Sequence, residues 1–259
     1  MQDNRKSLAQ NFIAKSHLAA LLLKQSSIGF NDIVYEIGPG SGMLTRELVK
    51  KSKKVIAIEK DHNLYEGLKK KFDCIDNLIL FNTDFLKFKI KEHSYKIFAN
   101  IPFNITGAVM RKIVHLANPP NEAYLVLQKQ AAEKFAGIPK TTQFSVLIKP
   151  WFRIKIIRNF RHFDFSPVPK VDVVMLHLAR RVPGLISVRD IPVYERFIKY
   201  GFGAWHKDLK SNFGNIFSYT QWKRLAHELG FRIHAIPSEL SFRQWLGLFE
   251  FFRKKIYMK

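Results

Sequence analysis

The chain of 259 residues carries 43 lysines and arginines against 21 aspartates and glutamates, a formal net charge of +22. Hydrophobic residues make up 47% of it, which argues against a disordered chain, and the single cysteine, Cys74, excludes an intramolecular disulfide. No apolar run reaches the roughly 20 residues that span a bilayer, and the polar N-terminus lacks an apolar signal core, so we expect a cytoplasmic protein. The charge favours a polyanionic partner, nucleic acid before an anionic membrane, although a solvated lysine-rich surface would have the same composition.

Short apolar runs alternate with helical patterns over the first half of the chain. Alternation of this kind predicts an α/β fold with a mostly parallel, doubly wound sheet and right-handed crossovers. The predicted strands are 33–37, 55–59, 78–81, 97–99 and 123–127, and the predicted helices are 17–25, 43–50, 62–72 and a segment from about 107.

The second half of the chain changes character twice. Residues 144–178 predict longer strands in an antiparallel arrangement, interrupted by segment 165–170, which is too rich in proline for a strand. Beyond a linker at 180–184, helices are predicted at 194–205, 219–229 and 242–253, the last with a capping box of Ser241 and Gln244. We therefore predict a catalytic domain over 1–180 and a helical domain over 181–259.

Polar residues and glycines follow the ends of four successive predicted strands. Gly38, Gly40 and Gly42 come after the first of these strands, Glu59 ends the second, Asp84 follows the third and Asn100 follows the fourth. The carboxyl ends of parallel strands form one edge of an α/β sheet, and ligands bind at that edge. The sequence therefore predicts a binding site there.

Each of these residues also has an ordinary structural interpretation. The glycines can form a plain tight turn, Glu59 can be a carboxylate at a helix N-terminus, and Asp84 can form an Asx-turn. As ligand-binding residues, Glu59 would accept hydrogen bonds from ribose hydroxyls and Asp84 from an adenine amine. Taken together, the carboxylates favour an adenosine moiety. The glycine spacing matches neither the phosphate-binding loop of ATPases nor the dinucleotide fingerprint.

Segment 100–103, Asn-Ile-Pro-Phe, supplies a side-chain carbonyl, a stiff turn and an aromatic ring directly after a strand. These groups suit a flat base that carries an amine. The sequence shows no metal-binding motif, so we expect no metal.

The order Glu-x-Gly-x-Gly-x-Gly over 36–42 resembles the S-adenosylmethionine motif of class I methyltransferases. Together with Gln-Asn-Phe at 10–12, Asn-Ile-Pro-Phe at 100–103 and Phe-Ser-Pro-Val-Pro-Lys-Val at 165–171, it resembles the rRNA adenine N6-methyltransferase superfamily over nearly the whole chain. That superfamily includes the Erm enzymes of 23S rRNA and the 16S rRNA dimethyltransferases of ribosome assembly. Ile101 and Phe103, where the assembly enzymes usually carry Leu and Tyr, favour the Erm type.

The resemblance implies a Rossmann-like methyltransferase with a small all-α C-terminal domain that supports RNA binding. Asn100 and Ile101 would offer carbonyl acceptors to the N6 amine of the target adenine, Pro102 would stiffen the turn, Phe103 would stack on the base, and Phe165 would approach it from the other side. The residues implied to bind S-adenosylmethionine are Gln10, Asn11, Phe12, Glu36, Gly38, Gly40, Glu59, Asp84, Phe85 and Asn100.

The chemistry agrees with these roles, because two carbonyl acceptors can localise the lone pair of an amine that is otherwise delocalised into the adenine ring. We expect an enzyme that methylates 23S rRNA and confers macrolide, lincosamide and streptogramin B resistance, acting as a monomer without a protein partner. Methylation of 16S rRNA, a non-catalytic nucleic-acid-binding relative and a DNA adenine methyltransferase stay open as alternatives.

Overall fold

A computed structural model describes residues 12–13, 16–203 and 208–257. The strands are β1 (Phe12–Ile13), β2 (Ile33–Ile37), β3 (Lys54–Glu59), β4 (Leu78–Asn82), β5 (Lys96–Asn100), β6 (Glu122–Gln128), β7 (Phe152–Asn159), β8 (Phe165–Ser166) and β9 (Val173–Arg180). The helices are α1 (Ser16–Lys24), α2 (Met43–Lys51), α3 (His62–Lys71), α4 (Thr106–His115), α5 (Lys129–Ala136), α6 (Gln143–Ile148), α7 (Ile191–Gly203), α8 (Leu209–Asn212), α9 (Tyr219–Leu229) and α10 (Phe242–Tyr257).

Seven strands form one sheet in the order β4-β3-β2-β5-β6-β9-β7. Strands β2 to β6 pair in parallel, and β9 pairs with β6 in the antiparallel sense. The inner strands β2, β3 and β5 are buried over almost their whole length, as expected for parallel strands covered on both faces. The predicted fold, a mostly parallel sheet with an antiparallel edge and a helical C-terminal region, is confirmed.

Local capping fixes two of the predicted helix starts. The Asp61 side chain accepts hydrogen bonds from the backbone N–H groups of Asn63 (2.8 Å) and Leu64 (3.0 Å) and so caps α3. Ser241 and Gln244 form the predicted reciprocal capping box, with the Ser241 N–H donating to Gln244 Oε1 at 2.7 Å.

The chain divides into two compact units that do not follow the predicted boundary completely. The first unit contains 1–132 and 154–180, and the second contains 133–153 and 181–259. The units change between residues 180 and 181, and segment 133–153 is grouped with the residues that follow this point. The division into a catalytic domain over 1–180 and a helical domain over 181–259 stays a prediction. The core of the second unit is rich in aromatic side chains, among them the buried Trp222 and Trp245.

Two elements differ from the prediction. Residues 144–148 lie in helix α6 rather than in a strand, because the Thr142 side chain accepts a hydrogen bond from the Ser145 N–H (3.1 Å) and caps the helix. Phe165 and Ser166 form a short strand despite the following prolines, because they pair with Ile13 and Phe12 of β1. In the described part of the chain no helix is both long and apolar enough to cross a membrane.

Candidate active site

The glycine turn connects β2 to α2. Gly38, Gly40 and Gly42 have φ values of +67°, +56° and +77°, a region that side chains disfavour. A Cβ atom at Gly42 would lie 2.7 Å from the Phe72 ring and 2.8 Å from Leu68, so this position has room only for glycine. The Gly38 N–H donates to the Ile58 carbonyl of β3 at 3.0 Å, which fixes the turn at the sheet edge.

Glu36 lies near the end of β2, directly before the turn, and is 1% exposed. Its Oε2 accepts a hydrogen bond from the Thr45 hydroxyl at 2.7 Å, whereas its Oε1 has no hydrogen-bond partner among the described residues. Burial raises the pKa of Glu36 to about 8, with a smaller contribution from the neighbouring Glu59 and an opposing one from the Thr45 hydroxyl. The site therefore contains a buried carboxyl group with a raised pKa, and one of its oxygens has no hydrogen-bond partner among the described residues.

Glu59, at the end of β3, is buried and connects two backbone segments. Its carboxylate accepts from the Gly40 N–H at 3.1 Å and from the Asp61 N–H at 2.9 Å. The helix that follows is capped by Asp61, so Glu59 is not the capping carboxylate of α3. Each oxygen of an ionised carboxylate can accept a further hydrogen bond, which leaves Glu59 able to bind hydroxyl groups.

Asp84 lies just beyond β4. Its side chain accepts from the Leu86 N–H at 2.8 Å, an Asx-turn, and from Lys60 Nζ at 3.0 Å. The Leu86 hydrogen bond, followed by the ion pair with Lys60, lowers the pKa of Asp84, so the group is ionised at neutral pH. The next residue, Phe85, is buried, and Lys112 Nζ lies 4.7 Å from the centre of its ring.

Segment 100–103 begins at the end of β5, next to the glycine turn. A Cβ atom at Gly38 would lie 3.9 Å from the Asn100 backbone oxygen, which shows how closely the two segments approach. Ile101 is buried, and its N–H donates to the Val126 carbonyl at 3.0 Å. The Pro102 carbonyl accepts from the Ile105 N–H at 3.1 Å and closes a short 3₁₀ turn that begins at Phe103.

The aromatic residues predicted to contact the base differ in exposure. Phe103 is half-buried and packs against the core of the first unit. Phe165 is buried within that core, where its ring meets Phe160 edge-on with a centroid distance of 5.2 Å. Phe165 is therefore largely covered by protein, and its predicted approach to the base stays a prediction.

The strand register brings the predicted residues together at one edge. In space the strands run β4, β3, β2, β5, so the residues that follow their ends occur in the order Asp84, Glu59, glycine turn, Asn100. This order differs from their order in the chain. Gln10 and Asn11 lie outside the described residues, and of Phe12 only the backbone is described, in its pairing with Ser166.

Sequence reasoning missed the residues that support this edge. Thr45 holds Glu36, Lys60 pairs with Asp84, and Asn82 donates from Nδ2 to the Glu59 carbonyl at 3.0 Å. Lys60 and Asn82 each come directly after a predicted strand, a signal that could have found them, whereas Thr45 lies inside helix α2 and has no such signal. Within the described residues no group of three His, Cys, Asp or Glu side chains could hold a metal ion.

A family model described as "Ribosomal RNA adenine dimethylase" matches residues 1–254. The chain belongs to this family. Relatives named "Ribosomal RNA small subunit methyltransferase A" are similar to this chain over most of its length. The protein from a Nostoc species is 30% identical, over 94% of this chain and 96% of the relative. The protein from Clostridioides difficile is 31% identical, over 82% of this chain and 77% of the relative. The resemblance seen in the motifs is thereby confirmed at the level of the superfamily.

Solved structures show the same fold. The 23S rRNA methyltransferase ErmE superposes with a TM-score of 0.87 at 25% identity, over 93% of this chain and 98% of ErmE. A dimethyladenosine transferase from Plasmodium falciparum superposes with a TM-score of 0.75 at 21% identity, over 94% and 98%, which is a likeness of fold alone. This member of the adenine dimethylase family therefore has the fold of an S-adenosylmethionine-dependent methyltransferase.

Proposed function

We propose that the protein transfers methyl groups from S-adenosylmethionine to the N6 amine of an adenine in ribosomal RNA. The observation that carries this proposal is the spatial order of Asp84, Glu59, the glycine turn and Asn100 along one sheet edge. For an elongated cofactor that lies along this edge, Asp84 would accept a hydrogen bond from the adenine amine and Glu59 would accept hydrogen bonds from the ribose hydroxyls. The glycine turn, which has no side chains, would lie next along the cofactor. Its reactive end would lie at Asn100.

The residues present fit this cofactor. Glycines with positive φ allow close approach of a ligand to the backbone. Glu36 Oε1, which has no partner among the residues that the structure describes, offers a buried hydrogen-bonding group at the same turn. Phe85 would support the adenine-binding end through the packing of its buried ring. We assign Gln10, Asn11 and Phe12 to the cofactor on the family resemblance.

When bound, S-adenosylmethionine supplies a methyl group on a positively charged sulfur. The Asn100 side-chain carbonyl and the Ile101 backbone carbonyl would accept hydrogen bonds from the target amine and localise its lone pair. Pro102 would hold the two carbonyls in place, and Phe103 would stack on the base, with Phe165 behind it in the core. Orientation and preorganised dipoles would supply most of the acceleration.

We infer that the target adenine lies in 16S rRNA. The relatives named after the small ribosomal subunit match this chain over nearly its full length, for example over 94% of it for the Nostoc protein. The expectation of a 23S target rested mainly on Ile101 and Phe103, two positions in a four-residue motif. Likeness over about 260 residues outweighs these two positions.

A 23S rRNA target is the second candidate. Its support is the Asn-Ile-Pro-Phe form of the motif and the TM-score of 0.87 with ErmE. Antibiotic resistance belongs only to this candidate.

For either target we propose that the protein works in the cytoplasm as a monomer, and that the helical region within 181–259 supports RNA binding through its basic surface.

The experiment that separates the two targets offers the enzyme unmethylated small subunits and unmethylated 23S rRNA in parallel, with labelled S-adenosylmethionine. Modified adenosines are then mapped by mass spectrometry of the digested RNA. N6-methylated adenosine in 16S rRNA is the expected product, and label only in 23S rRNA would replace the first candidate by the second. Label in neither RNA, with the cofactor bound, would contradict both.

A further inference from the structure

A groove lies on the face of the sheet formed by β2, β3 and β4. Tyr35 pairs with Ile56, and Ile56 pairs with Ile79, so these side chains stand in one row on this face, with Phe81 two residues further along β4. The groove has a volume of about 400 Å³ and is lined by these residues together with Phe88 and several charged side chains. This volume lies within the range of small-ligand pockets, roughly 300–1,000 Å³.

The chain segment that crosses this face is the connection from β4 to β5. Residues 83–95 are described throughout and contain neither a helix nor a strand. They partly cover the face through Phe88, whose ring lies 5.0 Å from Phe81 and 6.0 Å from Tyr35, measured between centroids. Ile79 and Phe81 stay 37% and 40% exposed. The groove therefore keeps an apolar lining that is open to solvent.

Positive charge surrounds the apolar surface. Lys54, Lys89 and Lys91 line the groove, and no carboxylate of the described residues lies within ion-pair distance of their ammonium groups. The one acidic residue in the lining, Glu92, accepts a hydrogen bond from the Tyr35 hydroxyl. An apolar, aromatic surface bordered by lysines of this kind matches an aromatic base attached to phosphates.

We propose that this groove binds an unpaired nucleotide of the RNA substrate, with the base against Phe81 and Phe88 and the flanking phosphates at the lysines. The proposal rests on the proposed RNA substrate. Phe81 lies on β4 and Asn100 on β5, three strand spacings away in the sheet, which is about 14 Å at roughly 4.8 Å per spacing. The groove therefore receives a nucleotide other than the target adenine and adds a second point of attachment.

Charge reversal tests the contact with phosphates. The double variant Lys89→Glu/Lys91→Glu is compared with Lys69→Glu/Lys70→Glu, an equal charge change at exposed positions of α3 outside the groove. Affinity for unmethylated 16S and 23S rRNA transcripts is measured by fluorescence anisotropy over a range of salt concentrations. We expect Kd to rise about tenfold in the groove variant and less than about twofold in the control, with the salt slope reduced by about 1.4 only in the groove variant.

Cross-linking locates the base. RNA that contains 4-thiouridine is irradiated in complex with the protein, and the modified peptides are identified by mass spectrometry. We expect adducts within 79–92. They should be lost in Phe81→Ala and retained in Phe30→Ala, the control at another exposed phenylalanine. If Phe81→Ala does not fold, the lysine variants decide.

Equal losses of affinity in the two lysine variants, or adducts only outside 79–92, would overturn the proposal. Displacement of the adduct by free AMP at concentrations that leave the RNA bound would also overturn it, in favour of a free nucleotide. These measurements need no methyl transfer. Failure of the proposed function appears as RNA that is bound but unmodified, whereas failure of the groove appears as unchanged binding in Lys89→Glu/Lys91→Glu.

Discussion

Near the carboxyl end of β2, the buried Glu36 has one oxygen without a partner among the described residues, whereas at the amino end of β5 the Lys96 ammonium group is fully bonded. Lys96 Nζ donates to the Ser27 carbonyl and hydroxyl, both at 2.8 Å, and to Asp32 Oδ2 at 2.9 Å. Both ends of the sheet bury charged or ionisable groups, which is costly unless they are satisfied. Of these two groups, only the one at the amino end is satisfied within the described protein.

The carboxylate at the amino end is equally well bonded. Glu122 accepts from the Ser27 hydroxyl at 2.7 Å and from the Tyr124 hydroxyl at 2.5 Å, and His177 Nε2 lies 2.7 Å from Glu122 Oε2. These hydrogen bonds outweigh the effect of burial and lower the pKa of Glu122. A complete network of this kind stabilises the fold, and an incomplete one at the opposite end is suited to a ligand. The comparison predicts that mutations at the two ends have different consequences.

The largest effect is expected for Asn100→Ala, which removes an acceptor from the proposed target amine. We expect methyl transfer to fall by about 100- to 1,000-fold, the usual loss when one preorganised dipole is removed. Stability should stay within about 1 kcal/mol of the parent, because the change is confined to the end of β5. The matched control is Asn104→Ala, at a nearby exposed amide, which should retain activity within about twofold. Unchanged methyl transfer in Asn100→Ala would contradict the role proposed for this side chain at the target amine.

Lys96→Met tests the opposite end. The side chain is 11% exposed and pairs with the partly exposed Asp32 at 2.9 Å, so its removal leaves the Asp32 carboxylate and the Ser27 carbonyl without this donor. We expect the free energy of unfolding to fall by about 2–4 kcal/mol, measured by urea denaturation, with the Kd for S-adenosylmethionine unchanged. The control is Lys24→Met, at an exposed position of α1, with an expected change below about 0.5 kcal/mol. A loss of cofactor affinity in Lys96→Met without a loss of stability would break the distinction between the two ends.

Glu36→Gln produces an effect on stability that depends on pH. The unfolded carboxyl group loses its proton near pH 4.5 and the folded one near pH 8, so between these values the folded state binds the extra proton and stability falls as pH rises. The amide that replaces the carboxyl group cannot ionise. We expect the variant to exceed the parent in unfolding free energy by up to about 4 kcal/mol at pH 8.5 in the absence of cofactor, and to match it near pH 4.5.

Thermal or urea unfolding over this pH range measures the Glu36 effect directly. The exposed Glu250→Gln on α10 serves as the control, and its difference from the parent should not change over the same window. A stability difference for Glu36→Gln that grows as pH falls would show that the folded carboxyl group is ionised, contrary to the geometry.

The parts of the fold that depend on local sequence were predicted well. Strand β2 was predicted from its apolar run, and α3 from Asp61, because burial on both faces and helix capping each leave a pattern within a few residues. The capping of α6 uses Ser145 at the third helical position, where glutamate or glutamine is the usual signature, so the apolar residues there were interpreted as a strand.

The candidate site was predicted as a set of residues, but its spatial order was not. Along the chain Glu59, Asp84 and Asn100 follow β3, β4 and β5 in turn. In the sheet the strands are arranged β4, β3, β2, β5, and the chain order does not reveal this arrangement. The network at the amino end could not be predicted either, since Lys96 is 64 residues from Asp32 and 69 residues from Ser27. Contacts between distant segments are fixed by packing of the whole sheet.

Hydrogen–deuterium exchange with and without S-adenosylmethionine tests the central claim most directly, because it reports both ends of the sheet in one experiment. We expect the cofactor to slow exchange in peptides that contain the glycine turn 38–42, residues 59–61 and residues 84–86, while peptides around Lys96 and Glu122 keep their rates. Protection confined to the amino-end peptides, or no protection at the glycine turn with saturating cofactor, would contradict the account.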